Sequence, residues 1–152
     1  MSEHKVLVKW VRDRGDFEYR TYTRNHHWAF EGETRVEASA APGFLGDESR
    51  VDPEEALLAS AASCHMLYFL AYAAKAGFTM TSYEDNPEGK VEKNEAGDPW
   101  VSAIIMRPRA VFIGDKRPTG DEIEKLHHRA HKSCIIANSL KSALTIEPII
   151  ES

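Results

Sequence analysis

Cysteine is scarce in this chain, with two among 152 residues, and they never approach each other in sequence. Cys64 and Cys134 lie seventy positions apart, which excludes a knuckle of neighbouring thiolates and a CxxC dithiol. Basic charge is not in excess either. Lys and Arg number 19 against 24 Asp and Glu, and the net charge of −5 leaves no nucleic-acid footprint. Repeats, low-complexity runs and dividing linkers are lacking, so 1–152 reads as a single domain large enough for a core. The start, Met1-Ser2-Glu3-His4-Lys5, has no apolar stretch of the signal-peptide kind. The longest apolar run is interrupted by Ser60, Ser63, His65 and Lys75, which argues against a membrane span. The expectation is a cytoplasmic chain without a membrane partner, whose cysteines are free or catalytic rather than a structural staple.

What is present is organised around one stretch, from Val51 to Gly77. Asp52 is a good N-cap, Pro53 suits the first helical position, and Glu54 and Glu55 place negative charge where the helix dipole favours it. Glu55 completes a capping box with Asp52. Small and apolar residues then run to Ala76, and Gly77 is a natural stop. A helix of about 24 residues is about 36 Å long. It has almost no polar face between Ala56 and Ala74, so it needs cover on nearly all sides. Cys64 sits near its middle.

Around that helix the pattern predicts strands. Lys5–Val11, Phe17–Thr23 and Thr34–Ser39 alternate in character, with Arg24–Trp28 irregular or the end of the second strand. Charged residues at 12–16 and Glu31-Gly32-Glu33 mark turns. Phe78–Tyr83 reads as a short strand. Lys90–Lys93 and Trp100–Met106 form a hairpin about residues 94–98, and Arg107–Phe112 extends its second strand with Pro108 at an edge or bulge. Asp121–Lys132 is helical, with acids early and bases late. Cys134–Ser142 is a second short helix capped by Ser133, and Ala143–Ile149 ends the chain as a strand. The order of elements suggests one α+β unit.

Cys64 in an apolar helix is equally compatible with an inert core thiol. Cys134, placed by this reading in the first turn of a helix after His131 and Lys132, would have its thiolate favoured and its pKa lowered. Its bland reading is a small residue filling a helix start. His127 and His131 are four apart on one helix face, a spacing that can hold zinc, although no acid or Cys run accompanies them. His128, and His26-His27 beside Trp28, are looser still, and packing or solvation is the default for all of these histidines.

Asp52-Pro53-Glu54-Glu55, Cys64 ten positions after Glu54, and a late Cys134 in Cys-Ile-Ile-Ala-Asn-Ser-Leu together resemble the OsmC/Ohr family of hydroperoxide-reducing proteins. The likeness covers nearly the whole chain. It implies an α+β fold with antiparallel sheets packed around a long buried central helix, in an intertwined homodimer. Counting back from Pro42, the family's early-strand arginine falls on Arg24, with Arg20 as the neighbouring competitor. Two features depart from the family pattern: Ile135 stands where proline commonly follows the late Cys, and Tyr22-Thr23 replaces a Gly-Gly before the arginine. Arg24-Asn25-His26-His27-Trp28 looks like the version in an OsmC-like subgroup.

The resemblance implies a thiol-dependent, peroxiredoxin-like peroxidase that reduces organic hydroperoxides to alcohols as an antioxidant stress response. Cys64 would be the nucleophile, oxidised to a sulfenic acid, and Cys134 the resolving thiol. An apolar helix disfavours a thiolate, so a cation is needed, and Arg24 is its candidate, held by a forked pair with Glu54. Apolar neighbours such as Leu57, Leu58, Met66, Phe69 and Trp28 suit an organic peroxide. No cofactor and no resident metal are implied, and a thiol reductant of unidentified nature would regenerate the cysteines. Glu54 and Cys64, ten residues apart on one helix, are about 15 Å apart along its axis. Two antiparallel copies crossing at a two-fold would bring one chain's Glu54 near the other chain's Cys64. The competing readings are a non-catalytic OsmC-fold dimer that binds a small apolar ligand, and a zinc protein using the His and Cys residues.

Overall fold

The computed structural model describes residues 1–12 and 15–151, so part of the charged turn expected at 12–16 lies outside the described residues. The chain divides into two compact units, Met1–Ala56 and Leu57–Ser152. The N-terminal unit holds a three-stranded antiparallel sheet of β1 (Val6–Lys9), β2 (His26–Phe30) and β3 (Arg35–Ala38), in that order. A 3-10 turn at Pro42–Phe44 and an isolated bridge from Ala38 to Val51 lead towards the long helix.

The strand expected at Phe17–Thr23 does not form. Its aromatics cluster locally instead. Phe17 lies 5.0 Å from Tyr22 and 5.6 Å from Trp10, ring centre to ring centre, while the Thr21 and Tyr22 amides both donate to Glu18 O in a turn. Alternation of aromatic and polar residues describes such a cluster as well as it describes a strand. The second strand lies over His26–Phe30, which includes residues read as irregular.

Helix α1 runs Pro53–Lys75. Its start is the expected capping box. The Glu55 amide donates to Asp52 Oδ1 at 2.8 Å and the Asp52 amide to Glu55 Oε2 at 3.2 Å. Its buried residues, Ala61, His65, Phe69 and Ala73, recur every four positions and form one stripe. Leu67, on another face, is 61% exposed in the single chain. By length and composition alone α1 would pass as a membrane span, a test that a core helix also passes.

The C-terminal unit adds β4 (Thr79–Glu84), β5 (Glu88–Lys93), β6 (Pro99–Met106), β7 (Arg109–Ile113), α2 (Gly120–Ser133), α3 (Ile135–Ser139) and β8 (Ala143–Ile146). β4 pairs with β7, and β5-β6-β8 form a second sheet in which β6 and β8 run parallel. Arg109–Ile113 is therefore not an extension of β6, as the sequence suggested, but a strand of another sheet. Pro108 is the break: it has no amide to continue the β6 ladder, and its carbonyl accepts from Ile149 instead, at 2.9 Å. Two apolar clusters fill the unit. Phe69, Ala73, Leu126 and Ala130 join α1 to α2, and Ala61, Ile104 and Met106 join α1 to β6.

Candidate functional site

Cys64 lies mid-way along α1 and is half-buried; Cys134 is 1% exposed, and both thiols are free. Cys134 does not occupy the first turn of a helix, and Ser133 is not its cap. Ser133 ends α2, and Cys134 is the hinge residue, C-cap of α2 and N-cap of α3. Its amide donates to His131 O at 3.2 Å, and its sulfur accepts from the Ala137 amide at 3.4 Å. The expected lowering of its pKa is reversed. Burial pushes the thiol up, the amides of Ala137 and Ile136 oppose this, and the Cys64 thiol, within hydrogen-bonding reach, raises it further. One turn of α3 cannot offset the loss of water. The sulfurs from α1 and the α2–α3 hinge are thus neighbours, one half-buried and one sealed.

Arg24 and Glu54 belong to the N-terminal unit. The Arg24 guanidinium donates to Tyr22 O at 2.7 Å and to Tyr19 O, and it lies over the Tyr22 ring at 3.8 Å. Its planar face and its edge are both engaged, which fixes its position. Arg20, the competitor, is exposed. Among the described residues no ion pair joins Arg24 to Glu54. His26 is held on both ring nitrogens: Nδ1 donates to Arg24 O at 2.8 Å and Nε2 accepts from Trp28 Nε1 at 3.1 Å.

The histidine arrangement was not foreseen. His127 pairs not with His131 along its own helix but with His65 of α1. His65 Nε2 and His127 Nδ1 are 2.9 Å apart, and Phe69 stacks on His127 at 4.1 Å. The sequence signal was His65 on the buried stripe of α1, a polar residue that must find a partner. Among the described residues no group of three or more His, Cys, Asp and Glu is placed to hold a metal ion.

Beneath these details stands a class of protein: an α+β chain built on a long apolar helix, bearing one accessible thiol and one sealed thiol side by side. The OsmC family, described as OsmC-like protein, matches residues 46–148, and the chain belongs to it. Among solved structures, an OsmC-like protein of unknown function from Vibrio cholerae O1 biovar eltor is 44% identical, with a TM-score of 0.95 over 98% of this chain and 100% of that one. An organic hydroperoxide resistance protein from Elizabethkingia anophelis is 13% identical, with a TM-score of 0.71 over 97% of this chain and 94% of that one. The organic hydroperoxide resistance protein OhrB of Bacillus subtilis is 14% identical, with a TM-score of 0.69 over 97% and 98%. The last two share the fold. Among curated proteins nothing matches.

Proposed function

We propose that this chain is a thiol peroxidase for organic hydroperoxides, acting as a cytoplasmic homodimer of single OsmC-like domains. The observation that carries this reading is the meeting of Cys64 and Cys134, the first half-buried and the second sealed. The accessible Cys64 thiolate attacks one peroxide oxygen. The O–O bond breaks, the other oxygen takes a proton and leaves as the alcohol, and Cys64 becomes a sulfenic acid. Cys134 then displaces hydroxide from that sulfur. A thiol reductant reopens the disulfide by exchange.

Arg24, rather than Arg20, is the cation for the Cys64 thiolate in this reading, and Glu54 orients it. The fixed stance of Arg24 on Tyr22 and Tyr19 supports that choice. The dimer is supported by α1 itself, whose single buried stripe leaves apolar side chains such as Leu67 uncovered in one chain.

The test is steady-state turnover with tert-butyl and cumene hydroperoxide against hydrogen peroxide, in the presence of a dithiol reductant. Faster turnover of the organic substrates, abolished by Cys64→Ser, is expected. Absence of turnover with all three would return the chain to a non-catalytic dimer of the same fold.

A further inference from the structure

Two hydroxyls meet close to the thiol pair. Tyr72 Oη and Ser133 Oγ are 2.7 Å apart. Tyr72 stands on α1 eight residues after Cys64, about 12 Å along the helix. Ser133 is the last residue of α2, immediately before Cys134. The bond therefore ties the helix that carries one sulfur to the hinge that carries the other, a single residue from the second thiol.

The grip is double. The Arg129 guanidinium, one turn before Ser133 on α2, lies over the Tyr72 ring at 4.0 Å. The Ser133 hydroxyl, with Arg129 and Lys75 beside the ring, holds the Tyr72 phenol below its usual pKa. α3 is one short turn of five residues, packed through Ile136 against the Ala61, Ile104 and Met106 cluster, and the Tyr72–Ser133 bond adds an anchor just before its start.

We propose that Tyr72 is a positioning residue for the redox pair, and that its bond to Ser133 sets the effective concentration of Cys134 at Cys64. This rests on the thiol-pair reading above. In the step concerned, the Cys134 sulfur gives up its proton and attacks the Cys64 sulfenic sulfur. The S–S bond forms, the S–O bond breaks, and the departing hydroxide takes the proton as water. One sulfur is oxidised and the other reduced, so no outside oxidant or reductant enters. Tyr72 touches neither sulfur in this step; it keeps them close.

The experiment equilibrates the purified full chain in glutathione redox buffers and measures the Cys64–Cys134 disulfide against oxidised glutathione. This readout is independent of peroxide turnover. One hydrogen bond is worth about fivefold in an equilibrium. Tyr72→Phe and Ser133→Ala are each expected to lower the effective concentration about fivefold, the double variant no further, and Ser133→Thr to restore it. The rate of sulfenic acid formation at Cys64 should be unchanged. An unaltered equilibrium in either single variant, or losses that multiply to about 25-fold in the double, would overturn the proposal. Should Tyr72→Phe fail to fold, Ser133→Ala and Ser133→Thr carry the test. A parent without peroxide turnover whose disulfide still weakens in Tyr72→Phe would sink the peroxidase reading and leave the clamp standing.

Discussion

His65 and His127 face each other as nearly parallel rings, 5° apart in tilt, joined by one hydrogen bond and buried to 0% and 3% exposure. One ring donates and the other accepts, so both stay neutral. Burial holds His65 down at about 4, with the His131 charge adding to the effect, and holds His127 down at about 3, with His65 adding.

Acid should therefore weaken the fold in a defined window. The folded-state pKa values lie below the ordinary value of 6.5, so the unfolded chain takes up these protons first. Stability is complete above about pH 6.5 and falls as pH drops toward 4. The loss should be on the order of 2 kcal/mol per histidine by pH 5. Asp85, raised by burial, works in the opposite direction at lower pH, and Tyr83, raised by burial and by Asp85, stays neutral throughout. Urea midpoints from pH 7.5 to 4.5 check this, and His127→Gln should flatten the profile.

The two thiols should react in sequence with an alkylating agent. At pH 7.5 iodoacetamide should modify Cys64 in the native chain and leave Cys134 untouched until urea is added. Mass mapping of the tryptic peptides reads the order. Equal labelling would mean that the seal over Cys134 opens readily.

The roles of the charges separate by pH. Arg24→Ala should slow sulfenic acid formation most near pH 7 and less as hydroxide ionises the thiol unaided. Arg24→Lys should recover little, because an ammonium cannot span the Tyr22 and Tyr19 carbonyls as the guanidinium does. Stopped-flow traces across pH decide it, and a defect in Arg20→Ala instead would move the role to Arg20. Cys134→Ser should complete one turnover and stall.

Gly46 and Gly43 make a matched pair. A Cβ at Gly46 would fall 1.5 Å from the Ala40 carbonyl oxygen, whereas one at Gly43 meets nothing within 4 Å. Gly46→Ala should cost more than about 2 kcal/mol, since backbone must move, and Gly43→Ala should be near neutral. Thermal melts of the two variants give the comparison.

Light scattering at micromolar concentration should give a particle twice the 17.1 kDa of the chain. A particle of chain mass would remove the dimer.

Much of this was legible from local chemistry. The Asp52 box, the Glu31–Glu33 turn and the 94–98 hairpin each depend on neighbours in sequence, and each appears in the fold. The thiol and proline spacing of the family signature led to the OsmC-like family. What failed depended on distant partners. Phe17–Thr23 alternates like a strand, yet its aromatics turn to Trp10. The cap of α3 was displaced by one residue, and that single step turned Cys134 from the first turn of a helix into a sealed hinge. His127 offered two neighbours on its own helix, and the partner it takes is 62 residues away. No periodicity within one helix can register a contact made by another.

The parallel pairing of β8 with β6 carries a consequence for how the chain is made. Ala143–Ile146 aligns with Ala103–Met106, so β8 joins the sheet only some forty residues after β6 has been made. Until then the apolar edge of β6, Ile104 to Met106, has its backbone amides and carbonyls unsatisfied and open to any passing strand. A nascent chain arrested before residue 143, or one clipped there by a protease, is thereby left with an adhesive border. The segment Ala143–Ile146 acts as a closing seam, and its arrival after β6 makes truncation before it a route to aggregation rather than to a smaller working protein.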